Sequence, residues 1–520
     1  MDHLAKEWRP EEVAPEEGQR RDAEAVLKGS VVNILGKFGR LSKSLYYVVI
    51  TRFVGAEVFG LYTLGWSLID LVSKFGLFGL DRGIVRFVSQ HHSDGDVEGA
   101  HRTIGQALAL TLVFSLLVTA AVWVVAPWAS GSVFHQPDLS PVLRILALSI
   151  PFLVVSSILL AALKAVRIMK FDVYVKSIAE PLVLLMTAVA LCALGWTVPG
   201  LAFAYLIAAA AGLLFATLCF GRIFSPSRCV SGMAGASLRS PIVAFSAPLP
   251  LDDALYILMS RLGLFVLAMF LPAASVGIYA ATSEAAGAVK TIRQAVDPIF
   301  TPVASGLVHK KEKERLSVLF ASVTRWILTL ELAFLLSVGL WGRSILSVFG
   351  PAFTAGFWSL ALLTLGHTVS GAFGSAETLL LMAGRSGLNL LNTVLLLFFN
   401  LGLSLFLIPA YGISGAALAT AVSLALISLL RVVEVGILLG LHPFRRSLLK
   451  PLIAAGLAFF VGLSLLQLRS PWSTLSLLSL PLYLGLLGAF GVEEEDRKLL
   501  EKLRHKIPFL RRPPQLRVAS

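Results

Sequence analysis

Apolar residues follow one another along this chain in long, nearly unbroken blocks. They do not form the stripe at every third or fourth position of a surface helix, nor the alternation of a half-buried strand. Fourteen blocks stand out, at roughly 29–51, 57–80, 104–128, 140–163, 172–195, 198–221, 241–271, 275–305, 318–341, 354–383, 387–409, 412–440, 447–468 and 472–491. A helix needs about 20 residues to cross the hydrocarbon core of a bilayer, and each block supplies them. Backbone groups in lipid must be satisfied within their own segment, so each block is predicted to be a helix. The missing alternation excludes an outer-membrane barrel. The expected fold class is therefore all-α, a polytopic membrane protein of about fourteen transmembrane helices.

Composition agrees with the pattern. Of 520 residues, 56% are hydrophobic and 14% charged, with a mean hydropathy of +0.81. Soluble domains carry about 25% charged residues, so a soluble enzyme, a disulfide scaffold and a disordered chain are excluded. The net charge of +13 is unevenly placed. With both termini inside, thirty of the 44 Lys and Arg fall in cytoplasmic segments, counting Lys450 at the head of the thirteenth block. Only Arg52, Arg343 and Arg469 fall in outer loops. That bias sets the orientation, so the expectation is a multi-pass protein of the cell (inner or plasma) membrane with both ends cytoplasmic. No polar domain is present on which nucleic acid would dock. No signal-peptide core follows the start, so no cleavage is expected there.

Candidate chemistry is sparse outside the blocks. His91, His92, Asp94 and Asp96 read as a short polar cytoplasmic loop, not a metal site. Cys192, Cys219 and Cys229 lack metal-ligand spacing and read as free thiols. No phosphate-cradling loop, zinc helix or nucleophile elbow is found, and the outer loops are too short to carry catalytic acids. The sequence predicts a transporter and not an enzyme, with no cofactor beyond H⁺ or Na⁺ as a coupling ion.

Two stretches of the chain read alike. Val58-Phe59-Gly60-Leu61-Tyr62 and Val276-Gly277-Ile278-Tyr279 both open a small-residue helix, at a separation of 217. Trp196 to Gly200 pairs with Tyr411 to Gly415 at 215, and Ala165-Val166-Arg167 pairs with Ala383-Gly384-Arg385 at 218. The expected organisation is a tail (1–28), a first lobe of six helices (29–221), a cytoplasmic linker (222–240) and a second lobe of six (241–440). Two further helices (441–491) and a basic cytoplasmic tail (492–520) complete it. Parallel repeats of this kind enclose a site at their interface and suit alternating access.

Several of these residues carry a family resemblance. They are Gly55-x-x-x-Phe59-Gly60-Leu61-Tyr62 with Gly79-Leu80-Asp81-Arg82-Gly83-Ile84-Val85-Arg86-Phe87-Val88, then Val276-Gly277-x-Tyr279 with Pro298-x-x-x-Pro302. The last is Leu407-Ile408-Pro409-x-Tyr411-Gly412-Ile413-x-Gly415-Ala416-Ala417. Together, over about residues 25–440, they resemble the multidrug/oligosaccharidyl-lipid/polysaccharide (MOP) flippase superfamily, most closely its O-antigen-type polysaccharide flippases. The resemblance implies two six-helix lobes around a central cavity. It also implies movement of a polyprenyl-diphosphate-linked oligosaccharide to the outer leaflet for O-antigen, capsule or exopolysaccharide assembly. The implied partners are that lipid-linked sugar, membrane lipid, and polysaccharide polymerase and glycosyltransferases. A peptidoglycan-precursor flippase and a cation-coupled multidrug exporter of the same superfamily are the alternatives.

Charge inside the membrane costs about 2.5–3.5 kcal/mol per residue on insertion scales and so marks function or pairing. Lys37, Arg40 and Lys43 recur at intervals of three on the first helix, and Lys74 lies on the second. Arg261 lies on the seventh, and Lys290 and Arg293 on the eighth. By the repeat, helices one and two correspond to seven and eight, so both copies present cations suited to gripping a diphosphate. Asp70 and Glu284, at related places in the two copies, are candidates for ion coupling. Asp252 and Asp253 are expected to pair locally with Arg261. Pro248, Pro250 and Pro298 are candidate hinges, since proline removes a ladder hydrogen bond and permits bending.

Overall fold

The computed structural model describes residues 15–467 and 476–490, with side chains described from residue 45 onward. Among the described residues there is helix and no strand. Ten helical stretches are long and apolar enough to cross a membrane. Two of them break at a glycine with non-helical backbone, Leu45–Ser93 at Gly55 (φ 75°, ψ −177°), where it carries on the helix begun at Pro15, and Ser386–Leu439 at Gly412 (φ 59°, ψ −131°), so each marks two successive helices. Adding Ala273–His309 and the shorter Ser476–Ala489 gives fourteen, matching the fourteen apolar blocks.

We number them α1 (15–54), α2 (56–77), α3 (Val97–Trp128), α4 (Leu139–Ala165), α5 (Lys170–Ala193), α6 (Val198–Phe220) and α7 (Pro241–Phe270). The rest are α8 (Ala273–His309), α9 (Lys313–Ser347), α10 (Pro351–Ala372), α11 (386–411), α12 (413–439), α13 (Arg446–Gln467) and α14 (Ser476–Ala489). Short helices Leu80–Ser93, Pro226–Met233 and Ala376–Met382 lie between them. Large side chains such as Val124 and Phe406, each 80% exposed, are stable on such a surface only against lipid.

The backbone carries the repeat more clearly than the side chains do. Residues with positive φ recur in matching loops of the two copies: Gly95 and Lys311, His135 and Gly350, Arg167 and Gly384, Gly195 and Gly412. Their separations are 216, 215, 217 and 217. The turns that join successive helices therefore reverse the chain in the same way twice. The structure also corrects two sequence pairings by a residue or two. Arg167 aligns with Gly384 and not with Arg385, and Gly195 rather than Thr197 aligns with Gly412, the glycine of the α11–α12 turn. Backbone conformation, not side-chain identity, is what the two copies share there.

The chain forms two compact units. The first holds residues 1–281 with two outlying segments, Leu346–Gly356 and Ile408–Ala416. The second holds Thr282–Ile345, Phe357–Leu407 and 417–520. Inside the second unit, α13 and α14 pack on α9. Leu328, Leu332, Leu336 and Leu340 meet Ala454, Ala458 and the fully buried Tyr483. The Tyr483 hydroxyl donates to the Thr329 carbonyl at 2.9 Å, and Trp341 donates to Ser476 at 3.0 Å.

Candidate functional site

The first unit brings together charges from α2, its continuation Leu80–Ser93, and α7. Asp70 and Lys74, one turn apart on α2, form an ion pair at 3.3 Å, both about one-third exposed. One turn earlier, Trp66 lies beneath the Arg261 guanidinium of α7, 4.9 Å from ring centroid to carbon. An indole face attracts a cation by about 0.5–2 kcal/mol without neutralising its charge. Arg261 is thus positioned by an aromatic ring and not by a carboxylate among the described residues. Asp252 and Asp253 do not serve it. Asp253 and Asp252 both pair with Arg82, the latter at 3.6 Å, because the helix 80–93 lies against the start of α7. Arg86 adds to that seam by covering the Phe245 ring at 4.5 Å.

Helix α7 is built in two pieces. Pro241–Ser246 ends before Pro248, and Leu249–Phe270 begins with Pro250 in its first turn. A proline there lacks only an N–H that would have no intrahelical partner anyway. Pro298 and Pro302 are interior to α8.

In the second unit an ion network joins α8, the helix Ala376–Met382 and α12. Arg293 contacts Asp297 one turn on (3.4 Å) and donates to Glu377 at 3.1 Å, while Arg431 donates to the same Glu377 oxygen at 2.9 Å. Ser375 donates to Asp297 at 2.8 Å. Close by, Asn392 donates to Glu434 at 2.6 Å. Lys290 and Glu284 lie on α8 three and nine residues before Arg293, and neither is an isolated charge. Glu331 on α9 is 2% exposed, and among the described residues its Oε2 has no hydrogen-bond partner.

Of the seven predicted cations, then, Arg261 is presented on an aromatic ring, Lys74 and Arg293 are ion-paired, and Lys290 is engaged. Lys37, Arg40 and Lys43 lie on α1 with side chains outside the described residues. The sequence reading missed Trp66, Arg82 and Arg431 as partners. Arg431 is legible as a charge inside an apolar block, but its bond to Glu377 spans 54 positions, and nothing local announces it.

Among the described residues, ten long apolar helical stretches, two of them broken at a glycine, define a multi-pass membrane fold. Solved structures agree. A lipid II flippase, MurJ, in an inward closed conformation, matches with a TM-score of 0.67 at 16% identity, covering 90% of this chain and 99% of that one. An inward-facing multidrug resistance MATE family transporter of the MOP superfamily matches at 0.58 and 14% identity, covering 76% and 94%. The sequence is more specific. The family described as polysaccharide biosynthesis protein matches residues 26–304, and the chain belongs to that family. Stage V sporulation protein B of Bacillus subtilis (strain 168) is 30% identical over 135 residues, a match spanning 26% of this chain and 26% of that relative.

Proposed function

We propose that the protein is a flippase that carries a polyprenyl-diphosphate-linked oligosaccharide across the cytoplasmic membrane by alternating access, for polysaccharide assembly. The observation that carries this reading is the Arg261 guanidinium within an apolar helix, held on Trp66 with its charge intact. With no neutralising carboxylate against it among the described residues, a charge placed there is costly, and an anionic headgroup offsets that cost. Arg grips a diphosphate through two parallel hydrogen bonds, and Lys adds point charge. In this reading Arg40, Lys43 and Arg261 take the headgroup, with Lys37, Lys74, Lys290 and Arg293 in support. The six-helix copies are the two moving lobes. Asp70, which releases or recaptures Lys74, and Glu284 are the residues assigned to H⁺ or Na⁺ coupling.

A peptidoglycan-precursor reading is favoured by one observation, the fold shared with the lipid II flippase along nearly the whole of both chains. Both lipids make the same demand for cations. The test is transport by the purified full chain in liposomes, with either a polyprenyl-diphosphate oligosaccharide or lipid II as substrate. Replacing Arg40→Ala and Arg261→Ala together is expected to lower transport at least about tenfold, the loss of two charge-assisted contacts of about 1.5–3 kcal/mol each being more than sufficient. Wild-type transport by the double variant overturns the diphosphate-gripping role.

A further inference from the structure

The beginnings of α2 and α8 cross in a contact that repeats itself about an internal two-fold. Ala56 and Gly60 on α2 correspond by 217 positions to Ala273 and Gly277 on α8. A Cβ on Gly60 would collide with the Ala273 carbonyl and stand 2.8 Å from the Gly277 nitrogen. A Cβ on Gly277 would collide with the Ala56 carbonyl and stand 3.0 Å from the Gly60 nitrogen. Each copy offers the same small-x-x-x-small edge to the other, which is how helices in lipid reach backbone contact.

Two further contacts straddle this crossing with the same symmetry. Arg52, at the end of α1, donates to the carbonyls of Val348 (2.8 Å) and Ser347 (3.1 Å) in the α9–α10 turn. At the end of α7, the carbonyls of Ala268 (3.3 Å) and Leu271 (3.2 Å) accept from Gln136 in the α3–α4 turn. In each case the last turn of a copy's first helix is bonded to the turn between the third and fourth helices of the other copy. The buried Phe59 ring beside Gly60 meets Phe353 edge-on at 6.3 Å. All these residues lie within the first compact unit, which is why that unit takes in the segment Leu346–Gly356.

Building on the flippase reading, we propose that this reciprocal clamp is the outer gate of the transport path. The charge bias places these turns on the outer side. The hydrogen bonds of Arg52 and Gln136 are directed at backbone carbonyls near turns, and the crossing itself is backbone against backbone at Gly60 and Gly277, so in this proposal the two ends separate without unpacking either copy. Closure, by contrast, needs glycine at 60 and 277, because only backbone against backbone brings the ends close enough for Arg52 and Gln136 to reach their carbonyls.

The experiment uses the full chain in nanodiscs and liposomes, with Cys192, Cys219 and Cys229 replaced by Ala. Spin labels on Glu57→Cys and Val348→Cys report the gate distance without any substrate. Gly60→Leu and Gly277→Leu are each expected to move the distance distribution toward longer values and to cut transport about tenfold or more. In a second arm, Arg52→Cys with Val348→Cys is joined by a short reducible thiol cross-linker. Transport is expected to stop on cross-linking and to return when the linker is reduced in the same sample. An unchanged distance in the leucine variants, or transport that continues while cross-linked, overturns the gate. If a leucine variant does not fold, the cross-linking arm, which inserts no bulk at the crossing, decides. Failure of the flippase reading looks different: the distances respond as described, but the unmodified chain moves no lipid-linked sugar.

Discussion

Arg431 is nine-tenths buried among apolar helices, and the Glu377 carboxylate it shares with Arg293 is what makes that burial tolerable. Removing one partner of such a pair leaves a buried charge uncompensated, at about 3 kcal/mol. Glu377→Gln is therefore expected to lower the thermal midpoint in detergent by several degrees, and Arg431→Met in the same chain to restore part of the loss. The double-variant cycle reads the coupling directly. A smaller effect belongs to Asp96, which caps α3 by accepting the Gly99 N–H at 2.8 Å and faces His91 at 3.0 Å. That backbone bond, aided by His91, holds its carboxyl below the ordinary value of 3.8. A depressed folded-state value means that the stabilisation is complete above about pH 4 and is lost as pH falls through the folded value. Asp96→Ala is expected to weaken the first turn of α3 by about 1 kcal/mol at neutral pH, read by amide exchange, while Asp96→Asn keeps most of the cap and removes the acid dependence.

At the scale of elements, glycines five residues apart illustrate two different demands. Gly60 is glycine because a neighbouring backbone occupies the space of its Cβ. Around Gly55 a Cβ would meet nothing within 4 Å, but φ 75° with ψ −177° is open only to glycine. The same holds for Gly412 between α11 and α12, where the nearest atom to a Cβ stands 3.7 Å away. Gly55→Ala and Gly412→Ala are each expected to cost about 1–3 kcal/mol from backbone strain alone, measured as a loss of thermal stability without change in the fold. The turns that reverse the chain between spans thus depend on conformations that hydropathy does not encode. This is why the apolar blocks 29–51 and 57–80 bracket the break between α1 and α2 but do not give the backbone conformation that makes it.

At the scale of the molecule, the linear pattern of apolar blocks determines the number and order of the spans, since a helix of fixed rise must fill a bilayer of fixed thickness. Local sequence also places the intramembrane cations, and the agreement of several weak matches near one offset exposes the duplication. What only the tertiary structure decides is which charge meets which. Arg82 takes Asp252 and Asp253 in place of the expected Arg261, which rests on Trp66 instead. Arg293 and Arg431 converge on one carboxylate. Each of these partners comes from a different helix, and their separation in sequence carries no periodic signal. Helix formation is a property of neighbours three and four residues apart, whereas pairing depends on how each helix is rotated about its axis. That rotation is set by packing against the other helices, at contacts such as Gly60 against Ala273, and becomes fixed only when the whole bundle has assembled.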